Sequence, residues 1–316
     1  MVLLARDNSQ QNTDFSHFIN SYVDDYNEDI YADLVDFDEL NRPEEEDEGG
    51  FLRPPARTNF LFIGLDNQLL TDALMVGTFY RDTGAIHLMS VPRDARVVFS
   101  ADRLNEIRAE GIRMPQEVKI NAIRAFGGRE RGVELLKAQL TEMLGVEFHY
   151  YVEVQLDAFR RIVDAIGGVE MYIPRRFFYS DPDQNLLIDI PAGLQMLDGA
   201  MAEGVVRFRS FPTGDLARNE IQMEFMSQLI RQALTREAIM NEPLTLINII
   251  LNDVSSNIGL EAIRYVPFIR YISAENVSTF TMPGHGAYIN GVSWFLPNAS
   301  ELPTVINQVF YADVLP

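Results

Sequence analysis

Asn59-Phe60-Leu61-Phe62-Ile63-Gly64-Leu65-Asp66 is a continuous apolar run that closes on a carboxylate. A run of this kind is a strand buried on both faces, and the polar residue at its C-terminal end is where such strands carry function. Working outward, Ala73 to Tyr80 is a second strand, Arg81-Asp82-Thr83-Gly84 turns the chain, and Ala85 to Val91 returns as a third, ended by Pro92. Helical spacing follows near Ile120 to Ala125 and from Glu130 to Leu144, and Phe148 to Val154 is a strand. Leu156 to Ile166 is a helix stopped by Gly167-Gly168, and Val169 to Ile173 and Leu187 to Ile190 are short strands. Val205 to Arg209 reads as a strand, and Asp215 as the N-cap of a long helix to about Glu237. Helices near residues 243–254 and 260–272, a strand at 277–282 and a helix near 300–310 complete the pattern. Strands alternating with helices imply a central sheet covered by helices.

Residues 1–58 stand apart from this α/β domain, which runs from 59 to 316. Between Phe15 and Phe37, aromatics and aliphatics recur at spacings of three or four among acids, the pattern of one or two amphipathic helices. Arg42-Pro43-Glu44-Glu45-Glu46-Asp47-Glu48-Gly49-Gly50 breaks any helix and reads as a solvated linker, either a juxtamembrane spacer or a disordered leader.

The 316 residues carry a net charge of −20, and 47% of them are hydrophobic, ample for a large core. From Asp24 to Glu48 there are thirteen acids and one base, Arg42, so −12 of that charge lies in one stretch. So acidic a chain is repelled by nucleic acid at long range, which excludes a nucleic-acid partner. Lys119 and Lys137 are the only lysines, and every other base is an arginine, whose planar fork suits phosphate. With no cysteine, thiol catalysis, disulfides and thiolate metal sites are excluded. No apolar run reaches the roughly 18 to 20 residues that span a bilayer, and Met1-Val2-Leu3-Leu4 is too short for a signal-peptide core. The chain therefore reads as soluble, touching a membrane only through its substrate or an anchor outside these residues.

Four segments carry chemistry: Gly64-Leu65-Asp66 with Thr71-Asp72; Ser90-Val91-Pro92-Arg93-Asp94; Lys119-Ile120-Asn121-Ala122 with Gly127-Gly128; and Arg207-Phe208-Arg209 leading to Gly214-Asp215-Leu216-Ala217-Arg218 and Gln222. Asp66 ends one strand and Asp72 begins the next, so both carboxylates can face one point. That suits Mg²⁺ beside phosphate, or is ordinary turn chemistry. Two arginines two apart on a strand share a face, so Arg207 and Arg209 either meet carboxylates or line an anion-binding cavity. With Arg93, Lys119 and Arg218 they form a set of five cations, suited to phosphates or to a network of salt bridges.

In this order the segments resemble the LytR-CpsA-Psr family. Tyr150 to Val154, Asp164 to Val169, Pro191 to Gly199, Met282-Pro283-Gly284 and Tyr288 to Trp294 extend the likeness over about 250 residues. The resemblance implies a three-layer α/β fold, a mostly central mixed sheet flanked by helices with a long apolar pocket for a polyprenyl tail. It implies a Mg²⁺-dependent phosphotransferase at the extracytoplasmic face of a bacterial membrane. Such an enzyme moves a glycan-phosphate from a polyprenyl-pyrophosphate carrier to peptidoglycan or another wall acceptor. Mapped by motif, Asp66 and Asp72 hold the metal. Arg93, Lys119, Arg207, Arg209 and Arg218 contact phosphate, and Gln222 orients the headgroup or its partner. Asp94 supports Arg93 or takes the acceptor proton, a metal-bound water being the other base, and Asp215 caps and positions Arg218. Two positions depart from the pattern: Leu70 and Ile221 stand where relatives often carry arginine. That leaves room for a non-catalytic polyprenyl-phosphate binder or regulator, or for a pyrophosphatase.

Overall fold

The computed structural model describes residues 55–66, 70–181, 186–208, 210–211, 215–233, 253–259, 265, 271–272 and 274–312. The amphipathic stretch and linker of residues 1–54 and the expected helix at 260–272 lie largely or wholly outside these residues, as does the greater part of that at 243–254.

The strands are β1 (Arg57–Leu65), β2 (Thr71–Tyr80), β3 (Ala85–Ser90), β4 (Arg96–Val98), β5 (Glu117–Lys119), β6 (Tyr150–Gln155), β7 (Val169–Ile173), β8 (Phe177–Asp181), β9 (Leu186–Ile190), β10 (Gly193–Leu197), β11 (Val254–Ser256), β12 (Val277–Thr281), β13 (Gly284–Ile289) and β14 (Val292–Pro297). The helices are α1 (Ala101–Ala109), α2 (Ile120–Leu144), α3 (Leu156–Ala165), α4 (Gly199–Arg207), α5 (Asp215–Ala233) and α6 (Leu302–Phe310).

A six-stranded sheet runs β11-β6-β1-β2-β3-β12. β1 pairs parallel with β6, and β3 with β12, while β2 is antiparallel to both its neighbours. Four strands, β1, β3, β6 and β12, therefore point the same way and end at one rim. That rim is where ligands of mixed and parallel sheets bind.

β1 is covered on both faces, fully on one and partly on the other. Leu61, Ile63 and Leu65 join Leu74, Val76 and Met89 in a core closed by residues of α1, α2 and α6. Phe60 and Phe62 point to the other face, where Met75, Ile86, Leu88 and Val277 meet Met223, Met226 and Ile230 of α5. Helices thus cover both faces. α2 is broken at Gly128, whose φ of 66° is open to glycine and costly for other residues, so the two expected helical stretches meet there as two segments at a kink. Gly167 and Gly168, both at positive φ, end α3.

A second core lies beside the sheet. β7 runs on into β8, and β9 into β10, so one long two-stranded ribbon bends between Pro174 and Arg176. Its inner residues Val169, Met171, Ile173, Phe177, Ile188, Ile190 and Leu197 pack with Val163, Ala202, Val205 and Phe225 of α3, α4 and α5.

Two expectations change. Val205 to Arg209 is not a strand: Gly199–Arg207 is helical, because Asp198 accepts from Met201 N and caps the turn, and Ala202 and Val205 bury one helical stripe. Arg207 therefore lies on a helix and not on a strand face. Val254 belongs to β11, paired with β6, rather than to the end of a helix. The long helix expected from Asp215 is present as α5.

Candidate functional site

The rim assembles the site from five elements. Asp66 follows β1. Its backbone N–H donates to Leu70 O, and its Oδ1 accepts from Leu70 N, both at 2.9 Å, which closes the loop at its base. Asp72 lies at a break in the β1–β2 ladder, where Ala73 opposes Gly64 but Thr71 opposes Leu65. Asp72 is thus the extra residue of a β-bulge, a device that re-aims a side chain.

The re-aimed carboxylate meets cations. Arg93 Nη1 donates to Asp72 Oδ1 at 2.9 Å, and Arg218 Nη1 stands 4.0 Å from the same oxygen. Arg93 Nε is 4.0 Å from Asp94 Oδ1, to which Lys119 Nζ is bound at 3.0 Å. The charges alternate in a chain: Arg218, Asp72, Arg93, Asp94, Lys119. This chain carries a net +1 in a protein of net −20. Asp94 is held more closely by Lys119 than by Arg93, whose main partner here is Asp72.

Local backbone bonds fix these groups. Asn121 N donates to Arg93 O at 3.2 Å and Ile120 N to Ala95 O at 2.9 Å, so the start of α2 is tied to the loop after β3. Phe295 N of β14 donates to Asp94 O at 2.9 Å, and Met282 N to Ser90 O at 3.0 Å. Arg218, in α5, is fully enclosed. Removing a guanidinium from water costs several kcal/mol, offset only by well-placed anions. Asp72 supplies one, and a phosphate would supply more.

Arg207 is the last residue of α4. Its Nη1 donates to Glu203 Oε1 at 2.7 Å, and Arg160 Nη1 of α3 lies 3.2 Å from Glu203 Oε2. Gln222 Nε2 donates to Val206 O at 2.8 Å, which joins α5, one turn beyond Arg218, to the backbone beside Arg207. Gln222 thus acts here on the main chain. Phe208 is buried and stacks on Phe177, centroids 4.4 Å apart. Burying such a ring is worth about 1.5–3 kcal/mol, so the chain leaving Arg207 is anchored too. Arg209 and the side chain of Asp215 lie outside the described residues.

Asp66 and Asp72 flank one rung of the ladder, Leu65 opposite Thr71. No group of three or more metal-binding side chains occurs among the described residues. Asp72, beside the cations, and Asp66, across one rung, are hard oxygen donors of the kind that would suit Mg²⁺ completed by phosphate oxygens and water, rather than a cage built by protein alone.

Glu203 and Arg160 escaped the sequence reading. The signal was the four-residue spacing of Glu203 and Arg207, which has meaning only on a helix. Leu70 is exposed and Ile221 packs against the second core, so neither position supplies a cation.

Residues 35–310 match the profile of the LytR_cpsA_psr family. The chain belongs to this family. LcpB of Corynebacterium glutamicum, named a probable cell wall biosynthesis protein, is 38% identical over 171 residues, which are 54% of this chain and 36% of that relative. TagT of Bacillus subtilis, a polyisoprenyl-teichoic acid–peptidoglycan teichoic acid transferase, is 26% identical over 269 residues, 81% of this chain and 77% of TagT. The crystal structure of B. subtilis TagV superposes with a TM-score of 0.66 at 21% identity, covering 83% of this chain and all of that one. A structure of TagT bound to LIIa-WTA superposes at 0.61 with 26% identity, covering 85% and 93%. The LytR-CpsA-Psr fold, a mixed sheet between helices, is thus the fold of this chain.

Proposed function

We propose that this LytR-CpsA-Psr domain transfers a glycan-phosphate from a polyprenyl-pyrophosphate carrier to a hydroxyl of peptidoglycan or another wall polymer, at the extracytoplasmic face of the membrane. The observation that carries the reading is the alternating chain Arg218–Asp72–Arg93–Asp94–Lys119 at the rim where four parallel strands end. The transferase names of TagT and TagV, and the LIIa-WTA ligand of TagT, support the substrate class.

The chemistry is phosphoryl transfer. An acceptor oxygen forms a bond to the sugar-linked phosphorus, the bond from that phosphorus to the bridging oxygen breaks, and polyprenyl phosphate leaves with the electron pair. Arg93, Lys119, Arg207 and Arg218 neutralise the charge that develops on phosphate oxygens, the dominant need in such reactions. Asp94 lies inside this set and can take the hydroxyl proton. Asp66 and Asp72 would hold Mg²⁺, which when bound adds positive charge on the pyrophosphate oxygens.

α5 also links the headgroup site to an apolar layer. From Arg218 the helix runs on to Met226 and Ile230, roughly 12–18 Å along its axis. There Phe60, Phe62 and Phe79 of the sheet face it, packed yet only partly buried. This layer suits the polyprenyl tail.

Full-length protein with Mg²⁺, a polyprenyl-pyrophosphate-linked sugar and peptidoglycan fragments should release polyprenyl phosphate and label the acceptor. Asp66→Ala, Arg207→Ala or chelation of the metal should each cut release at least a hundredfold. Unchanged release in Asp66→Ala and Arg207→Ala would sink the assignment of roles. Tight lipid binding with no release in wild type would favour a binder, as the cation-free positions Leu70 and Ile221 also do. Release without acceptor labelling would mark a pyrophosphatase.

A further inference from the structure

We infer that Glu203 is the positioning residue for Arg207, and that Arg160 holds Glu203 in place. The inference rests on the proposed phosphate role of Arg207, and nothing else in that proposal uses either residue.

Glu203 and Arg207 are four apart on α4 and so share a face. One Glu203 oxygen takes Arg207 Nη1 at 2.7 Å, and the other faces Arg160 Nη1 at 3.2 Å. The carboxylate is mostly buried, its side chain 13% exposed, so solvent screens it weakly. Arg160 is itself tied to Asp157 in the first turn of α3. The helices that bear these groups are locked together. Gly199 N donates to Asp164 Oδ1 at 2.7 Å, and a Cβ at Gly199 would stand 2.4 Å from Arg160 O.

The main chain around Arg207 is therefore fixed at Val206 by Gln222 and at Phe208 by Phe177, while its long side chain is fixed by Glu203. An arginine carries much rotamer freedom, and ordering it before the ligand arrives removes that cost from binding. Residues that orient a ligating group from behind typically matter ten- to a hundredfold in affinity, in the documented case of metal ligands. The same logic applies to a guanidinium that grips phosphate.

The test measures binding of a polyprenyl-pyrophosphate-linked monosaccharide to the full chain, with transfer followed in parallel. Glu203→Gln, close to isosteric, should weaken binding about tenfold. Its melting temperature should stay near wild type. Arg160→Ala should reproduce part of that loss. The deciding readout is non-additivity, because coupled residues fail to add. In an Arg207→Ala background, Glu203→Gln should cost nothing further. A Glu203→Gln loss that persists undiminished in that background would overturn the inference alone, as would wild-type binding by Glu203→Gln. Wild-type binding and transfer by Arg207→Ala would overturn the role of Arg207 itself, and the inference with it.

Discussion

At the scale of single residues, Asp72 is the hinge of the charge balance. It stands between Arg93 and a fully enclosed Arg218. Asp72→Ala would leave those guanidinium groups facing each other without it. Deleting one member of a buried pair costs about 3–5 kcal/mol, and the partial exposure of Asp72 reduces this to about 2–3. Inorganic pyrophosphate should recover part of the loss in the variant by supplying the missing anion. Urea denaturation with and without pyrophosphate checks this, and equal midpoints for variant and wild type would refute it. Asp72 was legible in the sequence because a carboxylate at a strand start beside another at a strand end is a local pattern. Arg93, Asp94, Lys119 and Arg218 were legible through motif order. Their pairing was not: Arg93 takes Asp72 as its main partner rather than adjacent Asp94, because the bulge turns Asp72 toward it. A bulge is a property of two strands in register, and no single segment shows it.

At the scale of elements, α4 shows where local reading fails. The β-branched pair Val205-Val206 favours a strand locally, but Asp198 caps a helical turn and Ala202 and Val205 fill one stripe of the second core. Tertiary packing outweighs the weak local preference. Asp198→Ala should therefore cost about 1 kcal/mol in unfolding free energy. It should also weaken lipid binding, since α4 carries Glu203 and Arg207. A chemical melt and a binding titration on one preparation test both, and lost stability with intact binding would detach the cap from the site. β1, β2 and β3 were read correctly because each is a strong apolar run bounded by clear turn residues. β8 and β10 were not, since their outward faces carry Phe178, Leu194 and Met196, all exposed, and so lack polar alternation. The short β4–β5 pair and α1, capped by Ser100, give signals too brief to separate from loop.

At the scale of the whole molecule, two cores meet along α5. Met226 packs against both, the ribbon core on one side and the sheet layer of Phe60, Phe62 and Phe79 on the other. The same helix carries Arg218 at the rim, so one rigid element spans the headgroup end and the apolar end of the proposed lipid path. Affinity should then split into two separable parts. On the proposed reading, the rim cations should fix the pyrophosphate whatever the tail, while each buried methylene of the tail should add about 0.8 kcal/mol at most. Met226→Glu places a charge in the apolar layer, where burial without a partner is unfavourable. It should weaken binding of a long-chain polyprenyl pyrophosphate at least tenfold and leave a short-chain analogue nearly unaffected. Arg207→Ala should weaken both equally. Equal losses for both tail lengths in Met226→Glu would place the tail elsewhere, since a residue that never meets the lipid cannot read its length.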